Sequence, residues 1–118
     1  MDVEAVRARC LGLPAATEDM PFGPDVLAFR IGGKIFALIN IERIPISINL
    51  KCDPERAIEL REEYDAITPG YHMNKMHWNT VDLSGGVPWA RIHELIDHSY
   101  HIVRASLPRS ARRGLDGQ

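Results

Sequence analysis

The segment from residue 71 to residue 79 concentrates side chains that recognise ligands. Within nine positions it carries one fixed cation, two flat rings and several hydrogen-bonding groups: Tyr71, His72, Asn74, Lys75, His77, Trp78 and Asn79. A lysine attracts anions, asparagine can both donate and accept hydrogen bonds, and aromatic rings stack on planar groups. The segment therefore predicts a binding surface for an anion or a planar ligand. It does not assign a reaction, because no nucleophile, acid and base can be matched by their spacing.

Other residues with chemical potential form weaker patterns. His93, Asp97 and His101 recur every fourth position of one predicted helix and could share a metal-binding stripe. Histidines at the border of an amphipathic helix explain the same pattern more simply. Cys10 lies on the apolar face of a predicted helix and Cys52 precedes a helix cap, and neither has a base at a defined spacing. We predict no catalytic residue, no metal site and no cofactor, and we expect a protein that is not an enzyme, with an enzyme as the third and least favoured alternative.

Length and composition predict one domain. A chain of 118 residues with 45% hydrophobic content can bury a core without disulfide bonds. The two cysteines are far apart in the sequence and favour reduced thiols in the cytoplasm over a disulfide framework. The apolar runs are short and the first residues are acidic, so we expect neither a membrane span nor a signal peptide. The oligomeric state is not predicted.

The charge distribution opposes a strongly DNA-binding protein. The net charge is −2 and the pI is about 6.2, whereas phosphate-binding domains are usually basic. Residues 1–70 carry eight basic and twelve acidic residues, and residues 71–118 carry six basic and four acidic ones. The basic end includes Arg109, Arg112 and Arg113, in a segment whose composition predicts a mobile tail. We therefore divide the chain into a domain over 1–108 and a basic tail over 109–118.

Hydrophobic periodicity predicts an α+β fold. The pair Gly32-Gly33 suits a two-residue hairpin turn, because glycine tolerates positive φ. The pair Asp53-Pro54 is typical of a helix start. The pattern places helices over 2–13, 53–67 and 88–107, and strands over 26–31, 34–40, 45–51 and 78–83. These elements predict an antiparallel sheet of about four to five strands with helices packed on one face.

The second face of this sheet is predicted to be polar. In the third strand, Ser47, Asn49 and Lys51 alternate with apolar residues, so one face is wet or occupied. If the last strand pairs within the same sheet, these residues and Arg30 adjoin the segment 71–79. Another interpretation stays open, in which the rings of that segment close the core and its asparagines satisfy loop backbone groups.

An ordered series of motifs resembles the MmcQ/YjbR family. The motifs are LPAATE at 13–18, PFG at 21–23, GKIFA at 33–37, NLKCDP at 49–54 and PGYHMNKMHWN at 69–79. The resemblance covers nearly the whole chain, from the first helix to Leu107. It implies a CyaY-like (frataxin-like) fold and a predicted DNA-binding function through a double wing of hairpins. By position, one wing is the Gly32-Gly33 hairpin with Arg30 and Lys34, and the other is the polar loop with Lys75, His77 and Asn79.

These observations make DNA the leading expected partner, with a small ligand or a protein as the alternative on the same surface. Lysine and arginine would hold phosphate, asparagine would read a base edge and the rings would stack. The predicted binding residues are Arg30, Lys34, Asn49, Lys51, Tyr71, His72, Asn74, Lys75, His77, Trp78 and Asn79.

Overall fold

Six antiparallel strands form one sheet, and helices cover one of its faces. The structure is a computed structural model that describes residues 2–71 and 73–116. Within those residues the chain runs α1 (Val3–Leu11), β1 (Thr17–Asp19), β2 (Val26–Ile31), β3 (Lys34–Asn40), β4 (Ser47–Lys51), α2 (Pro54–Glu63), β5 (Ile67–Pro69), β6 (Trp78–Asp82), α3 (Trp89–Ala105) and α4 (Arg109–Asp116).

The strand order is β1-β2-β3-β4-β6-β5, and every neighbouring pair is antiparallel. The predicted hairpin of β2 and β3 is confirmed with the expected bounds. Its turn residues Gly32 and Gly33 have φ of 57° and 84°, in the left-handed region that suits the twist of a hairpin. The predicted start of α2 is also confirmed, since the Asp53 carboxylate accepts from the backbone amides of Glu55 and Arg56.

The predicted number of strands is too low. The two unexpected strands, β1 and β5, have three residues each and form the two edges of the sheet. Strand β1 reads Thr-Glu-Asp, without an apolar alternation, and β5 ends in Pro69, whose missing amide proton is tolerated only at an edge. The second helix also ends earlier than predicted. Tyr64 turns extended at φ −126°, and Ile67 reaches the core from β5 instead of from the helix.

Helix α3 supplies most of the cover over the central strands. It buries six residues on one side, at helical spacings of one, three and four: Ile92, Leu95, Ile96, Ser99, Tyr100 and Val103. Across from it, Phe36 of β3 meets the Tyr100 ring edge-on, with the ring centroids 5.5 Å apart. The buried residues of α1, α2 and α3 and those of the covered sheet face form a single apolar cluster. The opposite sheet face, which we call the open face, faces away from this cluster.

A β-bulge in β3 decides which residues reach the open face. Phe29 pairs with Ala37 while the next residue, Arg30, pairs with Ile35, so Phe36 is an extra residue in β3. Phe36 and Ala37 therefore both belong to the core, although they are adjacent in sequence. Beyond the bulge the alternation resumes with the opposite phase. Strand β3 consequently turns Ile35 and Leu38, which are three positions apart, toward the open face.

Ser99 of α3 repairs the hydrogen bonding that the bulge interrupts. Its side chain is fully buried. The hydroxyl donates to the Phe36 carbonyl oxygen at 2.6 Å and accepts from the Lys51 amide at 2.9 Å. It thus bridges β3 and β4 beyond Ala37 and Leu50, the last pair of their ladder. One helix residue thus satisfies the buried Phe36 carbonyl and the part-buried Lys51 amide.

The C-terminal segment is helical as far as the structure describes it. Its composition predicts a mobile tail, whereas Arg109–Asp116 form α4. Ala111 and Leu115 are partly buried and pack against the core. The prediction rests on composition, which three arginines dominate. It therefore misses that Ala111 and Leu115 are four residues apart and lie on the same side of a helix.

We expect Ser99→Ala to destabilise the fold by about 2 to 4 kcal/mol, because the buried Phe36 carbonyl and the part-buried Lys51 amide lose their partner. Urea denaturation followed by circular dichroism measures the loss. Ser106→Ala is the matched control. Its hydroxyl donates to the Val103 carbonyl at the solvent-exposed end of α3, and we expect less than about 1 kcal/mol there. Equal losses in the two variants would contradict a bridging role for Ser99.

Candidate functional site

The open face holds a cavity of about 490 Å³, which we call the open-face cavity. Strands β2, β3, β4 and β6 form its floor and the loops before β2, after β3 and before β6 form its rim. Its lining residues are Phe22, Val26, Ile35, Leu38, Asn40, Arg43, Ser47, Asn49, Tyr71, Met73 and Trp78.

The floor of the cavity is apolar because of the bulge in β3. Val26 of β2 lies beside Ile35 and Leu38 of β3, and Trp78 of β6 lies at the far side. Strand β4, which lies between β3 and β6, separates these two parts with smaller polar residues, Ser47 and Asn49. A flat apolar floor with a ring at one side suits a planar, weakly polar molecule.

Two aromatic residues at the rim leave much of their surface in water. The Phe22 side chain is 65% exposed and the Tyr71 side chain is 51% exposed. Exposed rings beside a concave apolar surface are typical of a binding site, since folding alone gains little from them. Met73, half-buried, completes this side of the rim.

A chain of hydrogen bonds fixes the loop that carries Tyr71. The Tyr71 amide donates to the Thr80 hydroxyl at 2.9 Å, and that hydroxyl donates to the Asn49 side-chain oxygen at 2.5 Å. Asn49 and Thr80 are cross-strand partners in β4 and β6. The loop thus takes its position from the sheet, and the amide nitrogen of Asn49 keeps its two N–H donors at the cavity.

Arg43 reaches the cavity from the opposite loop. The Asn40 side chain accepts from the amides of Glu42 and Arg43, at 3.0 and 3.2 Å, and so holds the start of this loop. The Arg43 guanidinium lies 4.1 Å from the centroid of the Tyr71 ring, a cation–π contact. The two loops therefore meet over the sheet, and Arg43 supplies the cationic group among the lining residues that the structure describes.

Three of the predicted binding residues come together in this cavity. Asn49, Tyr71 and Trp78 all line it, so the predicted proximity of the polar sheet face and the segment 71–79 is observed. The other lining residues were not selected from the sequence. Phe22 lies in the PFG motif and Arg43 in a short turn. Either residue could be recognised as part of a binding site only if the sequence showed that the two loops face the same side of the sheet.

The two predicted wing residues of the first hairpin lie elsewhere. The Arg30 side chain pairs with Asp19 at 3.0 Å and donates to the Gly33 carbonyl. The Lys34 ammonium contacts the carbonyl and hydroxyl oxygens of Ser106, at the end of α3. Lys51 follows Asn49 on the open face by register, but does not line the cavity.

The remaining residues of the segment have structural contacts. The Asn74 side chain accepts from the Met76 amide, and the Lys75 ammonium lies 3.5 Å from the Gly70 carbonyl oxygen. Asn79 is buried on the helix side, where its side-chain oxygen accepts from Arg61 at 2.7 Å. The interpretation that these asparagines satisfy loop backbone groups therefore describes Asn74, whereas Asn79 bonds to groups of α2, the Arg61 side chain and the Ala57 carbonyl.

His77 and His72 complete the predicted set. His77 is half-buried, and its backbone carbonyl accepts from the Cys52 amide at 2.8 Å. His72, another predicted binding residue, lies outside the described residues.

Comparisons with known proteins identify the family. The YjbR family model matches residues 11–102. The chain belongs to the YjbR family. Among YjbR-family relatives, it is 40% identical over 100 residues to protein YbdF of Escherichia coli O157:H7, covering 85% of this chain and 82% of that protein. It is 30% identical to YjbR of Escherichia coli K12, covering 96% of each chain.

Solved structures agree with this membership. The crystal structure of Deinococcus radiodurans protein DR2400, with a DUF419 domain, matches with a TM-score of 0.91 and 38% identity, over 97% of this chain and 87% of that one. A crystal structure of a Pseudomonas syringae protein matches with a TM-score of 0.77 and 31% identity, over 87% of this chain and 99% of that one. The predicted family and the α+β class are thereby confirmed.

The two cysteines and the histidines of α3 have mainly structural surroundings in this YjbR-family structure. Burial raises the pKa of the Cys10 thiol to about 12 and also raises that of Cys52, so both thiols stay protonated at neutral pH. Asp97, of the predicted metal stripe, pairs with Arg9, and His93 packs against Trp89. Residues 2–71 and 73–116 contain no group of three or more histidine, cysteine or acidic residues arranged to hold a metal ion. Nor do they contain a helix long and apolar enough to span a membrane.

His98 gives a prediction about pH and stability. Its Nε2 accepts from the Asp53 amide at 3.3 Å, a bond that requires the neutral imidazole. Burial is the main reason that the pKa of His98 is lowered from its ordinary value near 6.5, and the positive charge of Arg56 adds to it. The unfolded chain therefore binds the proton more readily. The contribution of His98 to stability is complete above about pH 6.5 and is lost as the pH falls toward the lower pKa of the folded state.

We expect His98→Gln to flatten the decrease in unfolding free energy between about pH 7 and pH 5, because the titrating group is gone. Urea denaturation at several pH values measures this slope. Ile58→Ala, at an exposed and non-titrating position of α2, is the control and should retain the wild-type slope. An unchanged slope in His98→Gln would contradict the prediction.

Proposed function

We propose that this YjbR-family protein binds a small, flat and largely apolar molecule in the open-face cavity. The observation that carries the proposal is the lining itself: an apolar floor, exposed rings at the rim and few polar groups, around a volume of about 490 Å³. Small-molecule sites usually have volumes of about 300 to 1,000 Å³ and a similar composition.

The placement of the rings supports binding over a purely structural role. The core lies on the other face of the sheet and contains its own aromatic residues, Phe29, Phe36 and Tyr100. Phe22, Tyr71 and Trp78 lie apart from it, on the open face, where a ligand can reach them. Burying such rings against a ligand would gain much of the apolar contact that folding leaves unused.

The proposed role is binding and not catalysis. The groups that line the cavity are apolar side chains, neutral amides, a hydroxyl and one guanidinium. A general base or an activated nucleophile is not among the lining residues that the structure describes.

The neutral fluorophore N-phenyl-1-naphthylamine tests the proposal. Its emission rises in apolar surroundings, and we expect saturable binding to the wild-type protein. Phe22→Ala removes an exposed ring at the rim and should weaken binding about fivefold, near 1 kcal/mol, without loss of stability. Titration at fixed protein concentration gives the dissociation constants, and urea denaturation checks the fold.

Ile58→Ala is the matched control. Ile58 is 54% exposed, comparable with Phe22, and lies in α2, outside the residues that line the cavity. Its substitution should leave fluorophore binding unchanged. A second variant, Trp78→Leu, removes the ring at the far side of the floor. The open-face cavity would be rejected as a ligand site if the wild type does not bind the fluorophore. It would also be rejected if the wild type, Phe22→Ala and Trp78→Leu proteins bind it equally.

DNA is a second proposal, favoured by the exposed Tyr71 ring beside the Arg43 cation and by the half-buried Trp78 in the same cavity. Such a group can stack on unpaired bases and attract a backbone phosphate. The lysines of the sequence prediction contribute from separate places, with Lys34 at the end of α3 and Lys75 at the loop before β6. This separation and the net charge of −2 favour weak binding over strong binding.

Fluorescence anisotropy with labelled single-stranded and duplex DNA at two salt concentrations tests this second proposal. We expect salt-sensitive binding that the double variant Lys51→Ala, Lys75→Ala reduces, because fewer phosphates are neutralised. Lys34→Ala distinguishes two geometries. A loss in that variant favours the wing arrangement of the family resemblance, and no loss favours the open face. Lack of binding at low salt would reject DNA as a partner.

The fold class within α+β and the location of the protein can also be inferred. We infer from the family resemblance a CyaY-like (frataxin-like) arrangement, since an antiparallel sheet with helices on one face is compatible with it. A cytoplasmic location is supported by two buried free cysteines, which need no oxidising compartment.

A further inference from the structure

We propose that the ligand of the open-face cavity is an aromatic carboxylate, whose acid group binds the Arg43 guanidinium. This inference rests on the proposed ligand-binding function and specifies the chemical class of the molecule.

Arg43 differs in its partner from the five arginines of the chain that form ion pairs with carboxylates. Five arginines each pair with a carboxylate at 4.0 Å or less: Arg7, Arg9, Arg30, Arg56 and Arg91. In the part of the chain that the structure describes, no carboxylate lies within that distance of the Arg43 guanidinium, which stacks on the Tyr71 ring. A charge held against a ring and close to an apolar cavity is available to an anion from outside.

The contact with the Tyr71 ring leaves donors of Arg43 usable. A guanidinium carries five N–H donors, so those that are not directed at the ring can match the two oxygens of a carboxylate. The contact with Tyr71 at 4.1 Å also restricts the motion of a long side chain. Asn40 restricts it further by holding the Arg43 amide, so less conformational entropy is lost when an anion binds.

The rest of the lining disfavours a cationic ligand and favours a ligand that carries hydrogen-bond acceptors. No acidic residue is among the described residues that line the cavity. Asn49 uses its side-chain oxygen to accept from Thr80, which leaves its N–H donors to face a ligand. A ligand that places oxygen acceptors toward Arg43 and Asn49, and a flat ring over the apolar floor, satisfies both parts of the cavity.

Each end of such a ligand has a counterpart. Phe22, Met73 and Trp78 surround the position of the ring, and Arg43 and Tyr71 lie at the position of the acid. A monoanion suits the single guanidinium. A polyphosphate would need further cations, and Arg30 is already paired with Asp19.

A matched pair of probes tests the inference: 2-naphthaleneacetic acid and its neutral amide, titrated by isothermal calorimetry. We expect the wild-type protein to bind the acid about tenfold or more tightly than the amide, because the charge-assisted hydrogen bonds are lost in the amide. Arg43→Gln should lower the affinity for the acid to about that for the amide and leave the affinity for the amide unchanged. Arg43→Lys should retain part of the preference.

Arg30→Gln is the matched control, since it removes an arginine that lies near the sheet but outside the cavity lining. It should keep the preference for the acid. Equal binding of acid and amide to the wild type, or a preference that survives in Arg43→Gln, would overturn the inference while the cavity remains a ligand site. If neither probe binds and N-phenyl-1-naphthylamine also fails to bind, the proposed function itself is rejected.

Discussion

The bulge at Phe36 is the constraint on which the rest of the structure depends. A regular β3 would send Phe36 and Leu38 to the same face, and either the core or the open face would lose an apolar residue. With the bulge, Phe36 and Ala37 both enter the core and Ile35 and Leu38 both reach the open face. Ser99 stabilises the bulge by hydrogen bonding to the Phe36 carbonyl and the Lys51 amide, which the irregular ladder leaves without a backbone partner. One buried hydroxyl thus connects α3 to the shape of the cavity on the opposite side of the sheet.

The same arrangement separates stability from binding. The helix-covered face contains the continuous apolar cluster, beside which Asn79 is paired with Arg61. The helices that the structure describes pack on that face, and the open face tolerates rings that are half exposed. Substituting a rim residue such as Phe22 removes little buried surface, so the rim can change its chemistry at a small cost in folding free energy. The floor residues Leu38 and Ile35 do not have this freedom, because the bulge fixes their direction.

Much of the fold follows from local sequence signals, and the cavity follows only in part. The Gly32-Gly33 hairpin and the Asp53-Pro54 helix start are determined by short-range backbone chemistry, which a single sequence displays. The alternation in β4 correctly places Asn49 on the face opposite the core. The bulge has no such local signature, since its extra residue is recognised only by pairing with β2. Edge strands of three residues carry too few positions for a pattern, and Arg43 meets Tyr71 only through tertiary structure.

Net charge is a poor guide to the electrostatics of this cavity. Many acidic residues of the chain are used against specific arginines, as Glu18 is against Arg7, and such pairs have little field beyond about one Debye length. The pKa of Glu18 is lowered by its hydrogen bond to Arg7, so this carboxylate stays ionised and keeps its partner neutralised at neutral pH. Within the cavity lining that the structure describes, Arg43 is the charged residue, and the acids Asp65 and Asp82 line an adjoining pocket on the other side of Arg43 and Ser47. An overall negative protein can therefore present a locally positive site, and its selectivity depends on where the acids are paired more than on how many there are.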